Sequence, residues 1–269
     1  MFPFGETGAD MEVKTMAEVT AQGKQPEILF WVGSAGSYDD RAKKITRAFV
    51  KILQQANVDF AVLGTEESST GDAAKRAGNE FLFQMQAMTN IEILNGYGVR
   101  TIVTCDPHSF NTLKNEYPNL GGKYEVYHHT QFIKKLIDEE RLSLDNTRLK
   151  GKRVTYHDPC YLGRANDVYE SPRDLIRRLG VNLTEMKRNK STALCCGAGG
   201  AQMFKDAEKG DKEINILRTE DALETKPDII ATGCPYCNTM MTDGIKFKEK
   251  EAEVIVKDIA ELIAEANNL

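Results

Sequence analysis

Short runs rich in β-branched and aromatic residues alternate along the chain with segments whose apolar residues recur at helical spacing. In the first half, Ile28–Val32, Val58–Leu63 and Val99–Thr104 read as buried strands. Between them, Ile45, Ala48, Phe49, Ile52, Leu53 and Ala56 keep a helical period, and Asp72 to Asn95 predicts a longer helix. In the second half, Arg153–Tyr156, Asn182–Met186, Asp228–Thr232 and Val254–Val256 read as strands. Helices are predicted to begin near Ser171-Pro172, Asp211 and Pro235, the prolines suiting a first helical turn. Strands alternating with helices imply α/β units with mostly parallel sheets. Such folds place ligands on the turns that follow the strands.

The pattern is duplicated. A shift of 126 residues carries Ser34 onto Cys160, Ser69 onto Cys195 and Gly71 onto Gly197. A shift of 128 carries Asp106 and Ser109 onto Cys234 and Cys237, and YEVYHHT (124–130) onto AEVIVKD (252–258). That last alignment makes Thr130 and Asp258 candidate helix N-caps. The prediction is therefore two similar α/β lobes related by pseudo-twofold symmetry. They span 26–147 and 148–269, meet in the polar stretch around 142–152, and follow a mobile arm at 1–25. Trp31 lies within a strand and reads as core; His128 and His129 close a strand and read as structural.

Composition narrows the function. With 269 residues, 41% hydrophobic and 28% charged, the chain can bury a core and is not globally disordered. A net charge of −5 with no long basic run excludes a nucleic-acid footprint, and KFKEKEAE (246–253) reads as a solvated face. Ile28–Val32, the longest strongly apolar run, is too short to span a bilayer. The opening MFPFGETGADMEV lacks a secretory pattern, so the expectation is a cytoplasmic protein. No Walker sequence or full GxGxxG turn appears, which argues against a nucleotide cofactor.

Chemistry concentrates in the cysteines, at 105, 160, 195, 196, 234 and 237. Five fall in the second half, as a single cysteine, an adjacent pair and a Cys-x-x-Cys. In a reducing compartment this favours metal or redox chemistry over disulfides. Three chemistries compete. A structural zinc takes four ligands, usually from two separated pairs, and vicinal cysteines chelate one small ion awkwardly. Cys234-Pro235-Tyr236-Cys237 matches a glutaredoxin-type dithiol, but the 32 residues after Cys237 are too few for the rest of that fold. An iron–sulfur cluster offers several irons, so three loops supplying one, two and two thiolates can converge and adjacent cysteines can bind different irons. Gly197, Gly199 and Gly200 would let backbone pass close to such a cluster and donate N–H groups to it, although a plain tight turn explains them equally. As a set, the array reads as a cluster site.

HDPC (157–160), CCGAGG (195–200) and GCPYC (233–237) resemble the CCG, or cysteine-rich, domain. That domain occurs in the cysteine-rich subunit of heterodisulfide reductase, the glycolate oxidase iron–sulfur subunit, lactate-utilisation protein A and the anaerobic glycerol-3-phosphate dehydrogenase complex. The resemblance implies that Cys160, Cys195, Cys196, Cys234 and Cys237 ligate one [4Fe-4S]-type cluster, of the noncubane kind known in the heterodisulfide reductase branch. The first copy departs from the pattern. Ser34, Ser69, Thr70, Asp106 and Ser109 stand at its ligand positions, so the resemblance implies one cluster rather than two. Cys105 reads as a packing thiol, with metal contact beside Asp106 or His108 as the alternative. His157 would tune the cluster by a hydrogen bond or else stabilise its turn. Arg164 would offset cluster charge, meet an acidic substrate, or make a surface salt bridge.

The implied function is the iron–sulfur subunit of a redox complex. It would pass electrons between a flavoprotein or ferredoxin-like partner, membrane-anchored by analogy, and a quinone or small substrate. One alternative is cluster-catalysed disulfide reduction; another is a zinc-bound interaction module without enzymatic activity.

Overall fold

The computed structural model describes residues 13–206 and 209–269. Two four-stranded, wholly parallel sheets organise it. The first comprises β1 (Ile28–Trp31), β2 (Phe60–Ala61), β3 (Thr101–Thr104) and β4 (Glu125–His128), in the order β2-β1-β3-β4. The second comprises β5 (Arg153–Tyr156), β6 (Asn182–Leu183), β7 (Ile229–Thr232) and β8 (Ile255–Asp258), in the equivalent order β6-β5-β7-β8. The helices of the first half are α1 (Met16–Ala21), α2 (Gly33–Tyr38), α3 (Asp40–Gln55), α4 (Asp72–Arg76), α5 (Glu80–Gly96), α6 (Pro107–Asn111) and α7 (His129–Asp138). Those of the second are α8 (Glu170–Arg178), α9 (Ile214–Glu224), α10 (Pro235–Phe247) and α11 (Ile259–Ala266). The chain is thus the two-lobed α/β protein that its pattern predicts.

Alternation along the strands decides how the lobes join. Phe30, Val103, Val154, Tyr156, Ile229 and Ala231 point into one core that also takes apolar residues of α3, α7, α8 and α11. Their neighbours Leu29, Trp31 and Ile102 face a separate cluster against α5, and Ile230 faces another with Met241 and Ile245 of α10. Each sheet therefore gives one face to its own lobe and one to a core common to both. Buried polar bonds cross the same junction. His129 Nε2 lies 2.9 Å from Asp258 Oδ1, and His128 Nε2 donates to the Gly233 carbonyl at 3.0 Å. Both histidines are structural, as expected from the sequence.

Several local expectations are corrected. The helix expected over Asp72–Asn95 is two helices. Gly78 turns the chain at φ +85°, and the Asn79 side chain then caps α5 by accepting from Leu82 N at 3.0 Å. β2 and β6 pair over only two residues each, and α9 begins at Ile214 rather than near Asp211. Thr130 is not an N-cap. Register pairs Thr104 with His128 and Thr232 with Asp258, so His128 occupies the place of Asp258 and caps α7. The equivalence there is a shift of 130, not 128. Of the segment expected to be a mobile arm, residues 1–12 lie outside the described residues. Residues 13–25 depart from that expectation, because α1 has a Thr15–Glu18 capping box and buries Met16 and Val19.

Candidate metal centre

Three loops that follow strands or enter helices bring the second-half cysteines together. Cys160 follows β5, Cys195 and Cys196 lie on the glycine-rich loop before α9, and Cys234 is the N-cap of α10 with Cys237 in its first turn. Pro235 opens α10 as the sequence predicts, and Cys234 makes no capping hydrogen bond, which leaves its thiol available. Cys237 Sγ lies 3.3 Å from Cys196 Sγ, while Cys195 exchanges hydrogen bonds with Cys160 and Cys196. All five are free thiols in one cluster; Cys196, Cys234 and Cys237 are buried and Cys160 and Cys195 half-buried.

The five thiols perturb one another strongly. Hydrogen bonds from Cys160 and Cys196, with help from the Gly197 N–H at 3.3 Å, push the Cys195 thiol well below its usual range. Cys160 is pushed up by its bond to that sulfur, and Cys196 by the same neighbour. Cys237 is raised by its bond to Cys196 and by burial. Ionising any one of these thiols works against ionising its neighbours, because like charges in a low-dielectric site repel. A cation delivered here would reverse that and recruit the remaining thiolates.

The residues singled out around the cysteines divide. Gly197 has φ +92°, and a Cβ there would lie 2.4 Å from Ile214, so the turn that aims its N–H at Cys195 needs glycine. Gly200 also has positive φ (+67°), whereas Gly199 packs where a Cβ would press on His108 at 3.3 Å. His157 is fully buried, and one of its ring nitrogens lies within 4.8 Å of the sulfurs of Cys196 and Cys237. Its Nδ1 accepts a hydrogen bond from Arg218 at 2.9 Å, while its Nε2 is buried with no partner among the described residues. Arg164 is exposed and makes no ion pair among the described residues. It donates to the Ala193 carbonyl, tying the Cys160 loop to the loop that carries Cys195. The Asp158 carboxylate of HDPC is held at 2.7 and 2.9 Å by fully buried Arg173, which braces the same loop. Arg173 and Arg218 carry no signal in the sequence, since each reaches its partner only through the fold.

The first lobe repeats the geometry without the thiols. Ser34, Ser69, Thr70, Asp106 and Ser109 line one cavity of about 60 Å³, which Gly199 and Gly200 of the cysteine loop also line. Asp106 caps α6, accepting from His108 N (3.0 Å), Ser109 N (3.1 Å) and Ser109 Oγ (2.7 Å). His108 pairs through Nδ1 with Asp72 at 2.9 Å. Cys105 packs in the shared core, where burial raises its thiol well above the usual range.

A two-lobed α/β protein with a five-thiol cluster beyond the strand ends of one lobe defines the class. The chain belongs to the cysteine-rich domain family, designated CCG, which it matches twice, over residues 28–114 and 154–242. It is 47% identical over 258 residues to the probable iron-sulfur-binding oxidoreductase FadF of Bacillus subtilis, covering 96% of this chain and 36% of that protein. It is 43% identical over 250 residues to the EtfAB:quinone oxidoreductase of Syntrophomonas wolfei, covering 91% of this chain and 35% of that protein. It is 33% identical over 254 residues to one component of the dihydromethanophenazine:CoB–CoM heterodisulfide reductase of Methanosarcina barkeri, covering 90% of this chain and 59% of that component. The chain thus spans about a third of the length of the first two.

Proposed function

We propose that Cys160, Cys195, Cys196, Cys234 and Cys237 bind one [4Fe-4S]-type cluster, of noncubane geometry, and that the chain is the iron–sulfur part of a redox complex. The convergence of five thiols from three loops carries this reading. A single tetrahedral zinc uses four ligands, so one thiol and the vicinal pair would be poorly served. The donor set, the Gly197 N–H and the buried, unpaired Nε2 of His157 suit a cluster whose sulfurs accept hydrogen bonds. Bound there, the cluster would supply one-electron transfer. The residues of this chain hold it, cover it from solvent on the Cys196, Cys234 and Cys237 side, and leave the Cys160 and Cys195 side open to a partner.

The names of the relatives, an EtfAB:quinone oxidoreductase among them, support an electron-transfer role. Electrons would pass between a flavoprotein or ferredoxin-like partner and a quinone or small substrate. Among the described residues no helix is long and apolar enough to cross a membrane. We place the chain at the cytoplasmic side, with any anchorage supplied through a partner. Cluster-catalysed disulfide reduction is the second reading, favoured by the half-exposure of Cys160 and Cys195, which gives a thiol access to an open iron position.

Iron, zinc and acid-labile sulfide per chain on anaerobically purified protein, with EPR after oxidation, test the proposal. About four irons with matching sulfide is the expected result. About one zinc without sulfide, unchanged by anaerobic reconstitution, would sink it. A thiol-induced change in the EPR signal would favour the second reading over simple relay.

A further inference from the structure

We infer that Arg218 is a positioning residue for the metal centre: it locks His157 as an Nε2–H donor beside the cysteines, so that His157 donates to the cluster and does not ligate it. The inference rests on the cluster reading for its redox consequence, but its core is a statement about a tautomer. Arg218 is carried by α9, is fully buried, and donates from Nε to His157 Nδ1 at 2.9 Å. A guanidinium has no acceptor and is not deprotonated in proteins, so Nδ1 must present its lone pair and the ring proton must sit on Nε2. With Nδ1 turned to Arg218, Nε2 is left as the ring's free donor: it is buried, has no partner among the described residues, and belongs to a ring that brings one nitrogen within 4.8 Å of the sulfurs of Cys196 and Cys237. A ring in this state has no Nε2 lone pair to give a metal. Ligation through Nε2 would require the Arg218 bond to break and the proton to move to Nδ1.

The charge around Arg218 supports the same role. Its Nη1 donates to the Arg188 carbonyl at 2.6 Å and approaches Asp221 at 3.4 Å, but Asp221 is gripped more closely by Arg188, at 2.6 and 2.8 Å. Nη2 of Arg218 is buried with no partner among the described residues. Arg188, Arg218 and, at 3.7 Å, Lys187 thus share the Asp221 carboxylate, the other nearby carboxylate, Asp158, is held by Arg173, and a partly uncompensated cation sits one imidazole away from the thiols. A buried cation in that condition is costly unless something anionic lies nearby. A thiolate-ligated cluster supplies such charge. Arg218 then favours the more negative, reduced state, both directly and through the hydrogen bond it imposes on His157.

The test uses the full chain, which contains only four histidines, labelled with 15N-histidine, together with the variants Arg218→Met and Arg218→Lys. In the iron-loaded protein, pulsed EPR is expected to show a weak 15N coupling, as from a hydrogen-bonded ring, and Arg218→Met to shift the cluster midpoint potential to more negative values. Arg218→Lys, which keeps a donor and a charge, is expected to restore most of that shift. A strong, directly ligated 15N coupling in the parent overturns the inference, as does a potential unchanged in Arg218→Met. Should Arg218→Met fail to fold, the parent and Arg218→Lys still decide the matter. Long-range 1H–15N NMR on the metal-free full chain reads the His157 tautomer without a cluster. A protonated Nδ1 there overturns the inference whatever the metal proves to be, whereas a protonated Nε2 in a chain that binds no iron would leave the tautomer lock standing and remove only the cluster.

Discussion

The two lobes are the same architecture solving the same local problem in opposite ways. In each, three loops leave the strand ends and must be held near one another. The first lobe holds them with its own hydrogen bonds. Asp106 caps α6 and receives Ser109, and the Glu67 carboxylate spans to the backbone N–H groups of Val32 and Gly33 at 3.0 and 2.6 Å, joining the loop after β1 to the loop before α4. The second lobe leaves Cys234 uncapped and puts thiols where those bonds would be. Its loops are braced from behind, by Arg173 on Asp158 and Arg164 on Ala193, while their tips carry the thiols. On the proposed reading, loop closure by side chains and loop closure by ligation would be alternatives on one scaffold.

The sharpest way to break this comparison is to remove ligands from one lobe only. Cys160→Ser and Cys196→Ser are each expected to take iron from about four per chain towards zero, whereas Cys105→Ser, a change in the shared core, leaves iron content intact. Metal analysis of the three variants decides it. Retention of full iron in both Cys160→Ser and Cys196→Ser would mean that the five thiols do not act as one site.

The shared core should make the lobes inseparable despite their different sites. Phe30→Ala empties a fully buried position that both lobes border, and large-to-small aromatic changes of this kind cost about 3–5 kcal/mol. Denaturation followed by circular dichroism should show one transition moved to lower denaturant. Two separated transitions, with only the first shifted, would show lobes that unfold independently.

Much of this is legible in the sequence, for identifiable reasons. Strands such as Ile28–Trp31 and Ile229–Thr232 are buried on both faces and so read as continuous apolar runs. The five cysteines stand out because thiols are rare and their spacing is repeated by serines and an aspartate one lobe away. The break at Gly78 is hidden because apolar spacing continues through it. His128 is hidden as a cap because the repeat drifts by two residues before β4, and only strand register reveals that. Arg218 and Arg173 are invisible, since their partners lie 61 and 15 residues away and nothing in either sequence neighbourhood marks them.

A smaller effect separates the lobes by pH. Burial pushes the Glu67 carboxyl up to about 7, against the two N–H groups that favour its charged form. A folded-state value above the unfolded one means that folding favours the protonated acid. Its contribution is fully present below the unfolded value of 4.5 and is lost as pH rises through 7. Between pH 5 and 7.5 the chain should lose about 2 kcal/mol from this group. Glu67→Gln, which stays neutral, should flatten that part of the pH–stability curve. An unchanged slope in the variant would show that Glu67 carries its charge comfortably in the fold.

The finest discrimination lies at the two equivalent helix starts. Asp106 and Cys234 occupy the same N-cap position, each followed by proline, yet only Asp106 makes the capping bonds. Asp106→Ala should therefore cost about 1 kcal/mol, the usual worth of an N-cap carboxylate, with iron content unchanged. Cys234→Ala should do the reverse, abolishing metal binding while leaving the metal-free chain close to its original stability. Paired measurements of denaturation midpoint and iron content would separate the two roles. If Asp106→Ala also loosened the metal, the route would run through His108, which the shortened α6 would release against Gly199 and hence against the cysteine loop. The first lobe would then be a support on which the second lobe's site depends, and not merely its counterpart with the ligands gone.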